Sequence, residues 1–219
     1  MKEEIKENKY QIISLGHNCL PRTVLTRWGL KPRKTEGEKT LPFDLATFET
    51  FEITKNIKED FKDFFNNLEY KQSKTLFKNK SYWIKAPDCI EFVHDKNINQ
   101  NDKSKLIDLY KNRILNFKKA LDKNTPILFV QLVGDCDDTE NLYNALNDKR
   151  RGKPFKVLII DPLGICGTKN KEIHILKIKY PNKYYQKYWW TKPFYLSKAG
   201  KEFERQIATK ANLLLEEWK

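Results

Sequence analysis

Four apolar runs interrupt an otherwise polar chain: QIISL (residues 11–15), ILFVQLV (127–133), KVLIID (156–161) and EIHILKI (172–178). Each is rich in β-branched and aliphatic residues and nearly continuous in polarity, the pattern of a strand covered on both faces. Between the second and third runs stands DDTENLYNALNDKRRG, in which Asp138 or Thr139 can cap a helix and Gly152 can end the turn after it. Strand, helix and strand in that order form a parallel βαβ unit. The predicted fold class is α/β, an open and mostly parallel sheet with helices on both faces in three layers.

The longest helical pattern is KSKLIDLYKNRILNFKKALD (103–122), where Leu106, Tyr110, Arg113 or Ile114, Phe117 and Leu121 recur at steps of three and four, with Pro126 ending it before the next strand. Two further helices are expected over 46–67, rich in phenylalanine and acids, and over 199–218. SYWIK and IEFVH, separated by Pro87 and Asp88, predict a small antiparallel hairpin inserted beside the main sheet. With only the charged 31–40 stretch resembling a linker, the expectation is one domain over residues 1–219.

The first run ends unusually. After QIISLG comes LPRTVLTRWG, with Pro21 where a first helical turn tolerates it, Leu20, Val24, Leu25 and Trp28 on one face, and Gly29 as a stop. Cys19 then falls at or beside the helix N-cap. Unpaired amides and the positive end of the helix dipole there favour a thiolate, which predicts a lowered pKa and a reactive cysteine. The same amides suit an oxyanion hole or a bound anion, with Gly16, His17, Asn18 and Arg22 as the contacts. A plain turn permitted by Gly16, with Cys19 a small buried residue, is the third reading. No GxGxxG follows the strand, which argues against a dinucleotide site.

Composition narrows the partners. Lys and Arg outnumber Asp and Glu by 42 to 29, a formal net charge of +13, which favours contact with something anionic: nucleic acid, a membrane surface, a nucleotide-linked substrate or an acidic polysaccharide; the expected partner is an anionic small-molecule or saccharide substrate. No nucleic-acid module signature accompanies the charge, so no specific nucleic acid is expected. Neither an apolar leader nor a stretch of the roughly 20 apolar residues that a span needs is visible. The expectation is a cytoplasmic protein without a transmembrane segment, its oligomeric state open. Four cysteines, Cys19, Cys89, Cys136 and Cys166, stand far apart with no CxxC pair, so reduced thiols are expected, with no disulfide framework, zinc site or cofactor. The acids of VGDCDD (133–138) read as helix capping ahead of a Mg²⁺ site, and YYQKYWW (184–190) as packing ahead of a stacking platform for sugars or bases.

SLGHNCLPRTVLTRWGL followed by LPFDLATFET resembles the start of a bacterial family of unknown function labelled as papain-like cysteine peptidases. The matching positions are Ser14, Leu15, Gly16, Cys19, Leu25, Gly29, Leu30, Pro42, Phe43 and Asp44, with Leu45 departing from the usual Trp. A His-Asp pair after a short strand in that family matches His94 and Asp95, and the resemblance covers roughly residues 11–133. It implies a Cys-His pair and an association with surface-polysaccharide loci. The strand-Gly-x-x-Cys-helix start also resembles SGNH-type hydrolases and acyltransferases, with cysteine in place of serine and without their downstream D-x-x-H pattern.

A cysteine nucleophile needs a base and usually an orienting group. Of three histidines, His94 is the first candidate; His17 is better suited to the rim of the site, and His174 to a sheet face. Asp44, in the PFD turn, or Asp95 is the candidate orienting acid, and Asp44 can also serve as an N-cap for the helix after it. The expected function is a cysteine-dependent hydrolase or acyltransferase; the alternative is a non-catalytic protein that binds an anion such as a nucleotide or nucleotide-sugar.

Overall fold

A computed structural model describes residues 9–72, 80–84, 90–92, 94, 95, 98, 101–134 and 138–218. Its main sheet contains β1 (Gln11–Gly16), β5 (Ile127–Leu132), β6 (Phe155–Asp161) and β7 (Ile173–Lys177), hydrogen-bonded side by side in that order. All three pairings are parallel. A second sheet pairs β2 (Leu68–Gln72), β3 (Lys80–Ile84) and β4 (Ile90–Glu91) antiparallel in sequence order. The helices of eight residues or more are α1 (Leu20–Arg27), α2 (Thr50–Lys58), α3 (Lys103–Asp122), α4 (Thr139–Arg150) and α7 (Lys198–Glu216), and α5 (Tyr185–Tyr188) and α6 (Lys192–Tyr195) are single turns.

The central strands are apolar on both faces because both faces are covered. Along β5, Ile127 and Phe129 point into a core shared with α3 and α4, while Leu128, Val130 and Leu132 point into a second core shared with α1 and α7. This is the three-layer arrangement expected of continuous apolar runs. The second sheet belongs to the first core, through Leu68 and Ile90. Thr47 bridges to Glu91 and ties the 41–48 segment to that sheet.

Several expectations change. Helix is confined to Thr50–Lys58 of the expected 46–67 span. Asp60, Phe61 and Asn67 take positive φ, and Phe61 and Phe64 fold back onto a ring cluster with Phe43, Phe48 and Phe117. Burying those rings outweighs local helix preference, which spans well under 1 kcal/mol per residue. The expected hairpin is present as β3 and β4, joined by an unforeseen third strand, β2. Asp44 does not cap the next helix; Glu49 stands at that N-cap, its amide hydrogen-bonded by the Glu52 carboxylate. The expectation of four reduced thiols is overturned at Cys166, which is buried and disulfide-bonded, its partner lying outside the described residues; Cys19 is free. Cys89, Cys136 and the acids at 135–137 also lie outside them.

Candidate active site

The turn after β1 is built by backbone geometry. The register with β5 shifts between Ser14 and Gly16, and Gly16 and His17 both take positive φ, at +90° and +52°. A side chain at Gly16 would be strained at that φ and would put its Cβ 3.1 Å from the Phe43 carbonyl oxygen. The chain therefore swings off the sheet within two residues and begins α1 with Cys19 at the N-cap. Asn18 supplies the cap that cysteine cannot: its Oδ1 accepts the Leu20 amide at 2.8 Å. Pro21 has no amide to offer. The anion cradle expected here is thereby reduced.

His94 meets this turn from the other sheet. Its Nε2 lies 3.0 Å from Cys19 Sγ, across 75 residues of sequence. Two neighbours of His94 are pinned to α3. Phe92 packs edge-on against Tyr110, ring centroids 4.7 Å apart. Asp95 accepts two hydrogen bonds from Arg113, at 2.9 and 3.2 Å, and Arg113 also lies over the Tyr110 ring. Tyr110 and Arg113 are three residues apart and so share one face of the helix. Both Asp95 oxygens face Arg113, so the hydrogen bonds of this acid anchor the segment that carries the imidazole.

The other expected site residues are placed as follows. Asp44 is fully buried; its Oδ2 accepts the Leu41 amide at 2.8 Å and pairs with Arg22 at 3.2 Å. Burial pushes its carboxyl up, against the pull of Lys31 and Arg22. Arg22 is consequently turned inward to Asp44. His17 Nδ1 sits 3.3 Å from Glu49 Oε2, and its contact holds the Glu49 carboxyl below the usual range. Gly134, just beyond β5, makes room for that pair: a Cβ there would come within 2.8 Å of the His17 ring. His174 lies on β7, three strands from the turn that holds Cys19.

The electrostatics of Cys19 reverse the expectation from the helix dipole. Burial pushes its thiol up to about 11, while its own backbone amide and Arg22 work in the opposite direction and Asp44 adds to the rise. The dipole of a helix of eight residues does not outweigh the partial withdrawal of a thiolate from water at the half-buried Cys19. The resting state is a neutral thiol beside an imidazole, a pair that can exchange one proton as the sulfur becomes a nucleophile.

Arg113, Glu49 and Gly134 were not singled out from sequence. Arg113 carried a signal, an arginine on the apolar face of an amphipathic helix, where a charge needs a buried partner. No group of His, Cys, Asp and Glu among the described residues forms a metal centre. Nor is any described helix long and apolar enough to cross a membrane. A concavity of about 1580 Å³ lies at the opposite end of the sheet, lined by Gln11 and Ile12 at the start of β1 and by Lys123–Thr125 before β5. The Cys19–His94 contact lies instead at the C-terminal ends of the strands, where open α/β sheets present functional groups.

No curated protein and no solved structure matches the chain. Over residues 10–161, which hold the β1 turn, Cys19, Asp44, His94 and the α3 anchors, the sequence matches the model of one family, and the chain belongs to it: putative papain-like cysteine peptidase (DUF1796).

Proposed function

We propose that the protein is a cysteine-dependent hydrolase or acyltransferase in which Cys19 attacks an acyl carbonyl and His94 moves the proton. The observation that carries this reading is the 3.0 Å contact between Cys19 Sγ and His94 Nε2. In the first step a sulfur–carbon bond forms as the thiol proton passes to Nε2. Collapse of the tetrahedral intermediate breaks the bond to the leaving group, which takes the proton from His94. Water or an acceptor hydroxyl, deprotonated by the same imidazole, then releases the acyl group. The amides at the start of α1 that Asn18 does not occupy are the candidate donors to the oxyanion.

In this reading Asp95 is a positioning residue held by Arg113, and Asp44 with Arg22 stiffens the helix start. The acyl donor or acceptor is a saccharide-linked or otherwise anionic molecule, in keeping with the +13 charge and with a place in surface-polysaccharide synthesis. The disulfide at Cys166 weighs against a permanently reducing compartment, so a cytoplasmic location is not carried into the proposal.

Incubation with p-nitrophenyl acetate followed by intact-mass analysis tests the mechanism. The expected result is an acetyl adduct on Cys19, absent from Cys19→Ala, with release of nitrophenol slowed about 10²–10⁴-fold in His94→Ala. Equal turnover by Cys19→Ala and the parent protein would overturn it. Peptidyl and glycosyl esters in the same assay then rank the substrate classes.

A further inference from the structure

The net positive charge is concentrated. Between Glu172 and Glu202 the chain has seven lysines, no arginine and no acidic residue, which accounts for seven of its thirteen net charges. Lys177, Lys179, Lys183, Lys192, Lys198 and Lys201 are exposed, and none of these six pairs with a carboxylate among the described residues. Elsewhere cations are commonly matched, as in Lys118 with Asp60, Lys156 with Glu217 and Arg113 with Asp95.

The same segment exposes large apolar side chains. Tyr185 and Trp189 anchor it in the core beneath α1 and α7, whereas Tyr184, Trp190 and Leu196 are 54%, 38% and 53% exposed. The rings are contiguous: Tyr188 contacts both Trp190 and Phe194, and Trp189 contacts Trp190. On a rigid base, tryptophan and tyrosine set among unmatched lysines combine the groups that settle at the headgroup level of a bilayer with those that are attracted to its charge. The segment follows residue 161, where the match to the family model ends.

We propose that residues 173–201 form a peripheral docking surface for an anionic lipid bilayer. Two features favour a bilayer over nucleic acid: the segment's own cations are all lysine, and the Arg27 guanidinium that lies over the Tyr195 ring is paired with Glu204, while Leu196 can enter an acyl boundary but cannot stack on a base. Docking joins ring insertion to charge attraction, so binding depends on both lipid charge and salt.

Co-sedimentation of the full chain with phosphatidylcholine vesicles, with and without a minority of phosphatidylglycerol, tests this. Binding is expected only with phosphatidylglycerol, weakening at high salt. At about fivefold per lysine, Lys179→Gln/Lys183→Gln/Lys192→Gln loses about 100-fold. Trp190→Ala/Leu196→Ser loses about tenfold and the blue shift of tryptophan emission that lipid induces. Lys103→Gln/Lys111→Gln on α3 binds as the parent does. All these side chains are exposed, so unchanged thermal melts keep the comparison interpretable. No vesicle binding, equal binding by the lysine variant, or tighter binding to a single-stranded oligonucleotide than to vesicles would overturn the proposal.

Discussion

In the proposed mechanism Cys19 is a nucleophile whose surroundings hold its proton. Because the folded chain binds that proton more tightly than the unfolded one, the associated stability is intact below the ordinary thiol value of 9.0 and is lost as pH rises from there to about 11. Alkylation by iodoacetamide follows the same sign: at pH 7 to 8 native Cys19 should react more slowly than it does in unfolded protein, with the native rate climbing toward pH 11. A native rate above the unfolded one at pH 6 would instead show a preformed thiolate. At this scale the sequence was informative about identity and silent about environment. The residues SLGHNC announced a strand, a turn and a cysteine at a helix start. Whether water reaches that sulfur depends on the cores behind Leu20 and Phe43, which no local pattern encodes.

Among the elements, α3 does the most for the site while contributing no reacting group. Its Tyr110 and Arg113 fix the residues on either side of His94. Arg113→Ala leaves the buried Asp95 carboxylate, its side chain 8% exposed, without its cation, and a cost of about 3–5 kcal/mol follows. Ester turnover should fall about tenfold or more through kcat, with KM little changed, because the imidazole loses its placement and not its contact with substrate. Lysine at 113 should recover stability better than turnover, since it cannot reproduce the paired hydrogen bonds. Calorimetry and steady-state kinetics on the two variants check this. The helix itself was legible to the residue, since an unbroken three-and-four spacing ends ahead of Pro126. The span at 46–67 was not: its phenylalanines satisfy a helical spacing equally well as they satisfy the folded-back turn, and only the presence of Phe43 and Phe117 across the core decides between them.

For the molecule as a whole, the sheet is closed at its N-terminal end by one side chain. Arg150, fully buried at the end of α4, donates to the carbonyls of Leu121, Lys123, Thr125 and Pro154, joining the connection before β5 to the one before β6. Arg150→Ala strands the carbonyls of Leu121, Lys123 and Thr125, Pro154 keeping the Ile127 amide, and should lower stability by about 3–5 kcal/mol in thermal or urea unfolding, while Cys19, at the far end of the strands, keeps its alkylation profile at temperatures where the variant is folded. The strands themselves were foreshadowed by their apolar runs; this latch was not, because KRRG reads as an ordinary helix end until the two neighbouring loops are seen together.

The state of Cys19 has a further consequence for the lifetime of the protein. Peroxide attacks thiolates, so a sulfur kept protonated at neutral pH escapes conversion to sulfenic acid and the irreversible steps beyond it. One chain thus carries an oxidised cysteine at Cys166 and a free one at Cys19. In the proposed mechanism the sulfur is thereby reserved for an acyl group brought beside His94 ahead of chance encounters with oxidant.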